Sequence, residues 1–75
     1  MPTPKRHRDV EANYPPRRFA EKLRRLADCI EAGQPFRIQV AGERIAVPLG
    51  ATISIEHERI GDEEELEFQL RWPRE

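Results

Sequence analysis

From Leu66 to Trp72 the chain alternates apolar and polar residues without a break, with Leu66, Phe68, Leu70 and Trp72 on one parity and Glu67, Gln69 and Arg71 on the other. Successive side chains of a strand point to opposite faces, so this segment predicts a strand with one apolar and one charged face. The same period of two appears in Phe36, Ile38 and Val40, in Ile45, Val47 and Leu49, and in Ile53, Ile55, His57 and Arg59. Ala41-Gly42-Glu43, Pro48-Leu49-Gly50 and Gly61-Asp62 punctuate these runs. The pattern predicts strands at about 36–40, 44–48, 52–60 and 65–72, each joined to the next by a short connection.

Ahead of the strands the period is helical. Phe19, Leu23, Leu26 and Ile30 are separated by four, three and four residues, with Ala20 and Ala27 beside them and charged residues opposite. Pro15-Pro16 suits a helix start, because a proline at the first helical position lacks an N–H that would be unpaired anyway. Tyr14 and Phe19 have the spacing of a hydrophobic staple. Gly33 followed by Pro35 supplies a left-handed cap and a stop. The predicted helix spans 16–32.

The expected architecture is therefore α+β, one N-terminal helix packed on a four-stranded antiparallel β-meander. Residues 1–8, with two prolines and no apolar period, are expected to be a flexible basic tail, and 9–75 a single domain. Asp9-Val10-Glu11-Ala12 alternates weakly and offers a short extra strand. Two registers of the last hairpin keep the apolar residues together. A two-residue loop at Gly61-Asp62 sets Glu58 against Glu65 and Glu56 against Glu67, whereas a four-residue loop sets Glu58 against Glu67 and Glu56 against Gln69. The second carries less like-charge repulsion and is the preferred expectation.

A chain of 75 residues makes one domain with a thin core. The expected core is Phe19, Leu23, Leu26, Ile30, Phe36, Ile38, Val40, Ile45, Val47, Leu49, Ile53, Ile55, Leu66, Phe68, Leu70 and Trp72. One cysteine excludes an intrachain disulfide and a multi-thiolate zinc site. No apolar run is long enough to span a bilayer and the N-terminus lacks an apolar signal core, which favours a soluble cytoplasmic protein. The net charge of −1 conceals a partition, +5 over residues 1–25 and −6 over 26–75. Such asymmetry marks either a nucleic-acid arm or two halves that attract each other.

A helix ending in Leu26-Ala27-Asp28-Cys29-Ile30-Glu31-Ala32-Gly33, a hairpin containing Val40-Ala41-Gly42-Glu43-Arg44 and Val47-Pro48, and the terminal Glu65-Leu66-Glu67-Phe68-Gln69-Leu70-Arg71-Trp72 together resemble the amphi-Trp domain family. The resemblance covers roughly residues 9–72. It implies the fold just described and, since that family has no established activity, no catalytic residues. The chain departs from the family pattern in Pro15-Pro16, where a polar cap is usual, and in its basic tail.

Candidate chemistry is sparse. His57 falls on the apolar parity of the third strand with no second ligand expected on that face, so a half-covered rim position outweighs a metal or proton-transfer role. Cys29 flanks the helix stripe and reads as a small buried hydrophobe. Glu56, Glu58, Glu65 and Glu67 make an acidic outer face, better explained by solvation and protection against edge pairing than by a cation. Trp72, in phase with the apolar residues, is expected in the core and not as a ligand platform. No catalytic, cofactor-binding or metal-ligating residue is expected.

The expected function is a non-enzymatic domain that binds another macromolecule, chiefly an unidentified protein, as a monomer or weak homodimer without membrane contact. The alternative is a nucleic-acid-binding module in which Lys5, Arg6, Arg8, Arg17, Arg18, Lys22 and Arg25 clamp phosphates. Against that alternative stand the acidic strands and the lack of an outward stacking platform.

Overall fold

The structure, a computed structural model, describes residues 8–74. Helix α1 (Pro16–Ala32) begins where Pro15, extended at φ −61° and ψ 150°, accepts the first helical hydrogen bond from the Phe19 N–H at 3.0 Å. It ends at Gly33, whose φ of 64° lets the Gly33 and Gln34 N–H groups donate to the carbonyls of Ile30 and Cys29 at 3.2 and 2.9 Å. These two bonds satisfy carbonyls that the helix end would otherwise orphan.

Four strands follow in two antiparallel hairpins, completing the α+β layout. Strands β1 (Phe36–Val40) and β2 (Glu43–Val47) are joined by Ala41-Gly42 at φ 47° and 85°. Positive φ at both central residues is the sign pattern of a type I′ turn, whose twist matches that of the flanking strands. Strands β3 (Thr52–Ile60) and β4 (Glu63–Arg71) are joined by Gly61-Asp62, with positive φ at Gly61 alone, the type II′ pattern.

Three details differ from the sequence expectation. The four strands do not form one continuous sheet: β1–β2 and β3–β4 are separate two-stranded ladders. Pro48 has no N–H to offer a ladder, and the Ala51 N–H turns back to the Pro48 carbonyl at 3.3 Å, so the chain leaves the sheet after Val47. The last hairpin takes the two-residue loop, pairing Glu58 with Glu65 and Glu56 with Glu67. Residues 9–12 form no strand; the N-terminal segment is held instead through Arg8, whose Nη2 donates to the Val40 carbonyl at 2.8 Å and whose Nε lies 3.5 Å from Glu43. Arg8 was expected in the flexible tail, whose residues 1–7 lie outside the described residues.

The core is much smaller than expected. Phe36 and Val47, directly paired across β1–β2, are each only 6% exposed, and they are the buried hydrophobic residues among those described. Leu26, Ile38, Val40, Ile45, Leu70 and Trp72 are half-buried, and the other expected core residues are exposed. Helix α1 packs on β1, where the Arg25 Nη2 donates to the Arg37 carbonyl at 2.6 Å and the guanidinium lies 5.2 Å from the centre of the Phe36 ring. No comparable packing joins the β3–β4 hairpin to α1 or to β1–β2 among the described residues. The Cα radius of gyration is 14.6 Å, against about 11 Å for a compact chain of this length. The hairpin projects from the small core instead of lying beneath the helix.

Candidate functional site

Two faces of the β3–β4 hairpin carry different chemistry, because directly paired residues of an antiparallel ladder share a face. On one face stand the pairs Ile53–Leu70, Ile55–Phe68, His57–Leu66 and Arg59–Glu64; on the other stand Ser54–Gln69, Glu56–Glu67 and Glu58–Glu65.

The apolar face is open. Ile53, Ile55, Leu66 and Phe68 are 57%, 65%, 64% and 61% exposed. At its base the face continues into a groove of about 650 Å³ between the helix and the hairpins, where Phe19, Leu23 and Leu26 face Phe68, Leu70 and Trp72. A smaller hollow beside it joins Ile30 and Leu26 to Leu49 and Ile53, so apolar surface runs without interruption from the helix to the hairpin. Trp72 contributes to this groove half-buried, as part of its wall.

At the turn end the same face closes with charge. Glu64 accepts from Arg59 Nε at 3.0 Å and meets His57 Nε2 at 2.5 Å. The sequence expectation gave His57 no carboxylate on its face, and that miss follows from the register: a four-residue loop would have placed Glu64 in the turn, whereas the two-residue loop sets it opposite Arg59 and diagonal to His57. The His57–Glu64–Arg59 group is exposed and lies beyond the groove, and it ties the tip of the hairpin together.

The acidic face is a hydrogen-bonded ladder. Ser54 Oγ donates to Gln69 Oε1 at 3.2 Å, and Gln69 Nε2 donates to Glu56 at 2.8 Å and to Glu67 at 2.9 Å. Glu58, Glu65 and Glu67 bring carboxylate oxygens within 4.8 Å of one another. The hydrogen bond with Glu67 and the charge of that neighbour push Glu65 up to about 6 from its ordinary 4.5, and the same hydrogen bond together with the Gln69 amide holds Glu67 below its ordinary value. Like charges at close range ionise one at a time, so Glu65 is the carboxyl of this pair that takes up a proton first as pH falls. Calcium takes six to eight oxygens, and three carboxylates on an open strand face supply a fraction of that shell.

Of the basic residues weighed for phosphate binding, Lys5 and Arg6 lie outside the described residues. Arg8 and Arg25 are turned onto backbone carbonyls of the first hairpin and its turn, and the Lys22 ammonium sits 5.9 Å from the centre of the Tyr14 ring. Arg17 and Arg18 are exposed on the first turn of α1. Of the five described residues, Arg8 and Arg25 are engaged with the first hairpin and Lys22 with Tyr14, while Arg17 and Arg18 stand exposed at the start of α1. Cys29 is half-buried on the helix.

Comparison with protein-family models, curated proteins and solved structures finds no match for this chain. No helix among the described residues is long and apolar enough to cross a membrane. The sequence parity showed which residues share a face; the signal it lacked was the absence of a cover over that face.

Proposed function

We propose that this chain is a small non-enzymatic domain that binds another protein through the open face of β3–β4 and the groove at its base. The observation supporting this reading is the exposure of Ile53, Ile55, Leu66 and Phe68 on one face. Side chains of this size, three-fifths uncovered, present roughly 400–500 Å² of contiguous apolar surface, already the size of the largest patch on a typical monomer. Adding the helix residues of the groove carries it beyond that. A surface so apolar, with charge only at its rim, gains from apolar side chains laid against it and offers few polar groups to orient a small substrate. The likeness to the amphi-Trp pattern bears on the fold and not on the partner, and the single cysteine suits the reducing cytoplasm in which we place the chain.

The test is affinity capture by the full chain, with Phe68→Glu as the control surface. Proteins retained by the native chain and released by Phe68→Glu support the reading. Retention that is indifferent to Phe68→Glu, or no retention of any protein, a second copy of this chain included, refutes it.

A further inference from the structure

The nature of the partner follows from the size and shape of this surface. Resting on the protein-binding reading above, we propose that the groove is occupied by a second copy of this chain: in a twofold dimer each β3–β4 hairpin lies in the groove of the other, its apolar face against the partner's α1.

Phe19, Leu23, Ile30 and Leu49 are 53%, 38%, 48% and 64% exposed and adjoin the hairpin face. With the four hairpin residues they amount to roughly 800 Å² of uncovered apolar surface, counting each such side chain at about 180–200 Å². One partner contributes about 800 Å² to a standard stable interface. A groove and a projecting hairpin on the same chain are also complementary shapes, which is what an isologous interface requires: the hairpin of one copy enters the groove of the other, and the reverse contact follows by symmetry.

With Phe36 and Val47 as its buried hydrophobic residues, a domain this small is of the kind that oligomerisation completes. The sequence expectation is a monomer or weak homodimer; the dimer proposed here is built on the apolar face.

Sedimentation velocity of the full chain from about 1 to 100 µM, at about 150 mM salt, reads the mass directly. We expect a dimer by about 10 µM, and a dissociation constant raised at least ~30-fold by Leu66→Glu, a residue already exposed in the single chain. Circular dichroism checks that the helix survives, and Ile55→Lys serves as a second variant should Leu66→Glu lose it. Phe19→Lys alone should also be monomeric. A mixture of Phe19→Lys and Leu66→Glu should recover the dimer, since one of its two contacts is native and the other pairs opposite charges. A native chain that stays monomeric at the highest concentration overturns the proposal, as does a dimer indifferent to both hairpin variants, and a mixture that fails to associate overturns the hairpin-against-helix arrangement. A monomeric chain that still captures another protein through Phe68 would remove the dimer and leave the protein-binding reading standing; a monomeric chain that captures nothing would remove both.

Discussion

Glu58 stands directly opposite Glu65 in the β3–β4 ladder, and Glu67 follows two residues along on the same face, so three carboxylates meet within 4.8 Å. Glu65, pushed up to about 6 by Glu67 first and by Glu58 and Glu56 after it, stabilises the fold fully below its unfolded value of 4.5 and loses that contribution as pH rises through 6. Glu67, held below its ordinary value, acts in the opposite sense and loses its contribution as pH falls below that value. The melting temperature should therefore rise when pH is lowered from about 7.5 to about 5.5 and fall again in stronger acid. Glu65→Gln should raise the melting temperature at the upper pH and flatten the profile. A native chain that melts at the same temperature across that window would show that Glu65 takes up no proton there.

That register was the least legible feature of the sequence. Like-charge opposition argues for a four-residue loop, yet on an exposed face solvent screens such pairs, and their cost is small enough for the turn to override it. The two-residue turn keeps Arg59–Glu64 and Ile60–Glu63 in the ladder, with Gly61 supplying the positive φ at little steric cost. Everything set by local chemistry was readable, including the ends of α1 at Pro16 and Gly33 and the parity of each strand. The division of the strands into two hairpins was not. Parity states that Ile55 and Phe68 share a face and is silent about what lies over it, because cover depends on the path the chain takes through Pro48–Ala51.

Arg25 is the polar tie between α1 and the first hairpin, donating to the Arg37 carbonyl at 2.6 Å while stacking on Phe36. Its position is exposed, so its value is modest. Arg25→Ala should cost about 1–2 kcal/mol in urea unfolding, combining a charged hydrogen bond with a cation–π contact. Arg25→Lys should recover less than half of that, because an ammonium cannot stack as a plane and reach the carbonyl together. Full recovery by lysine would reduce the tie to charge alone.

Ala41 holds φ 47° in the first turn, a left-handed conformation that costs a residue with a Cβ about 1–2 kcal/mol. Ala41→Gly removes that strain but adds freedom to the unfolded chain, so the net gain should be near 0.5 kcal/mol, or about 2–4 °C in melting temperature. Ala41→Asn, which tolerates this region, should gain a similar amount. A loss of stability in both variants would mean that the turn does not adopt this conformation.

Trp72 is half-buried in the wall of the groove, and a fully buried tryptophan loses about 3–5 kcal/mol on truncation to alanine. Trp72→Ala should cost about half as much, roughly 2–3 kcal/mol by chemical denaturation. Unchanged stability would mark the indole as a surface group free to meet a ligand.

The basic residues give the last prediction. Phosphate binding requires cations that converge, and a log–log salt slope near −0.9 per contact on duplex DNA would reveal it. Here Arg8 and Arg25 are committed to carbonyls of the first hairpin and its turn, and the −6 of residues 26–75 repels the polyanion that the +5 of residues 1–25 attracts. Fluorescence anisotropy with labelled duplex and single strands should therefore show little binding near 150 mM salt, a condition at which typical non-specific dissociation constants are about 10⁻⁴–10⁻⁶ M. A variant with Lys5, Arg6, Arg8, Arg17 and Arg18 changed to Ser should behave as the native chain does in this assay. Micromolar binding by the native chain that disappears in the variant would establish the basic residues as a phosphate clamp and displace the apolar groove as the functional surface.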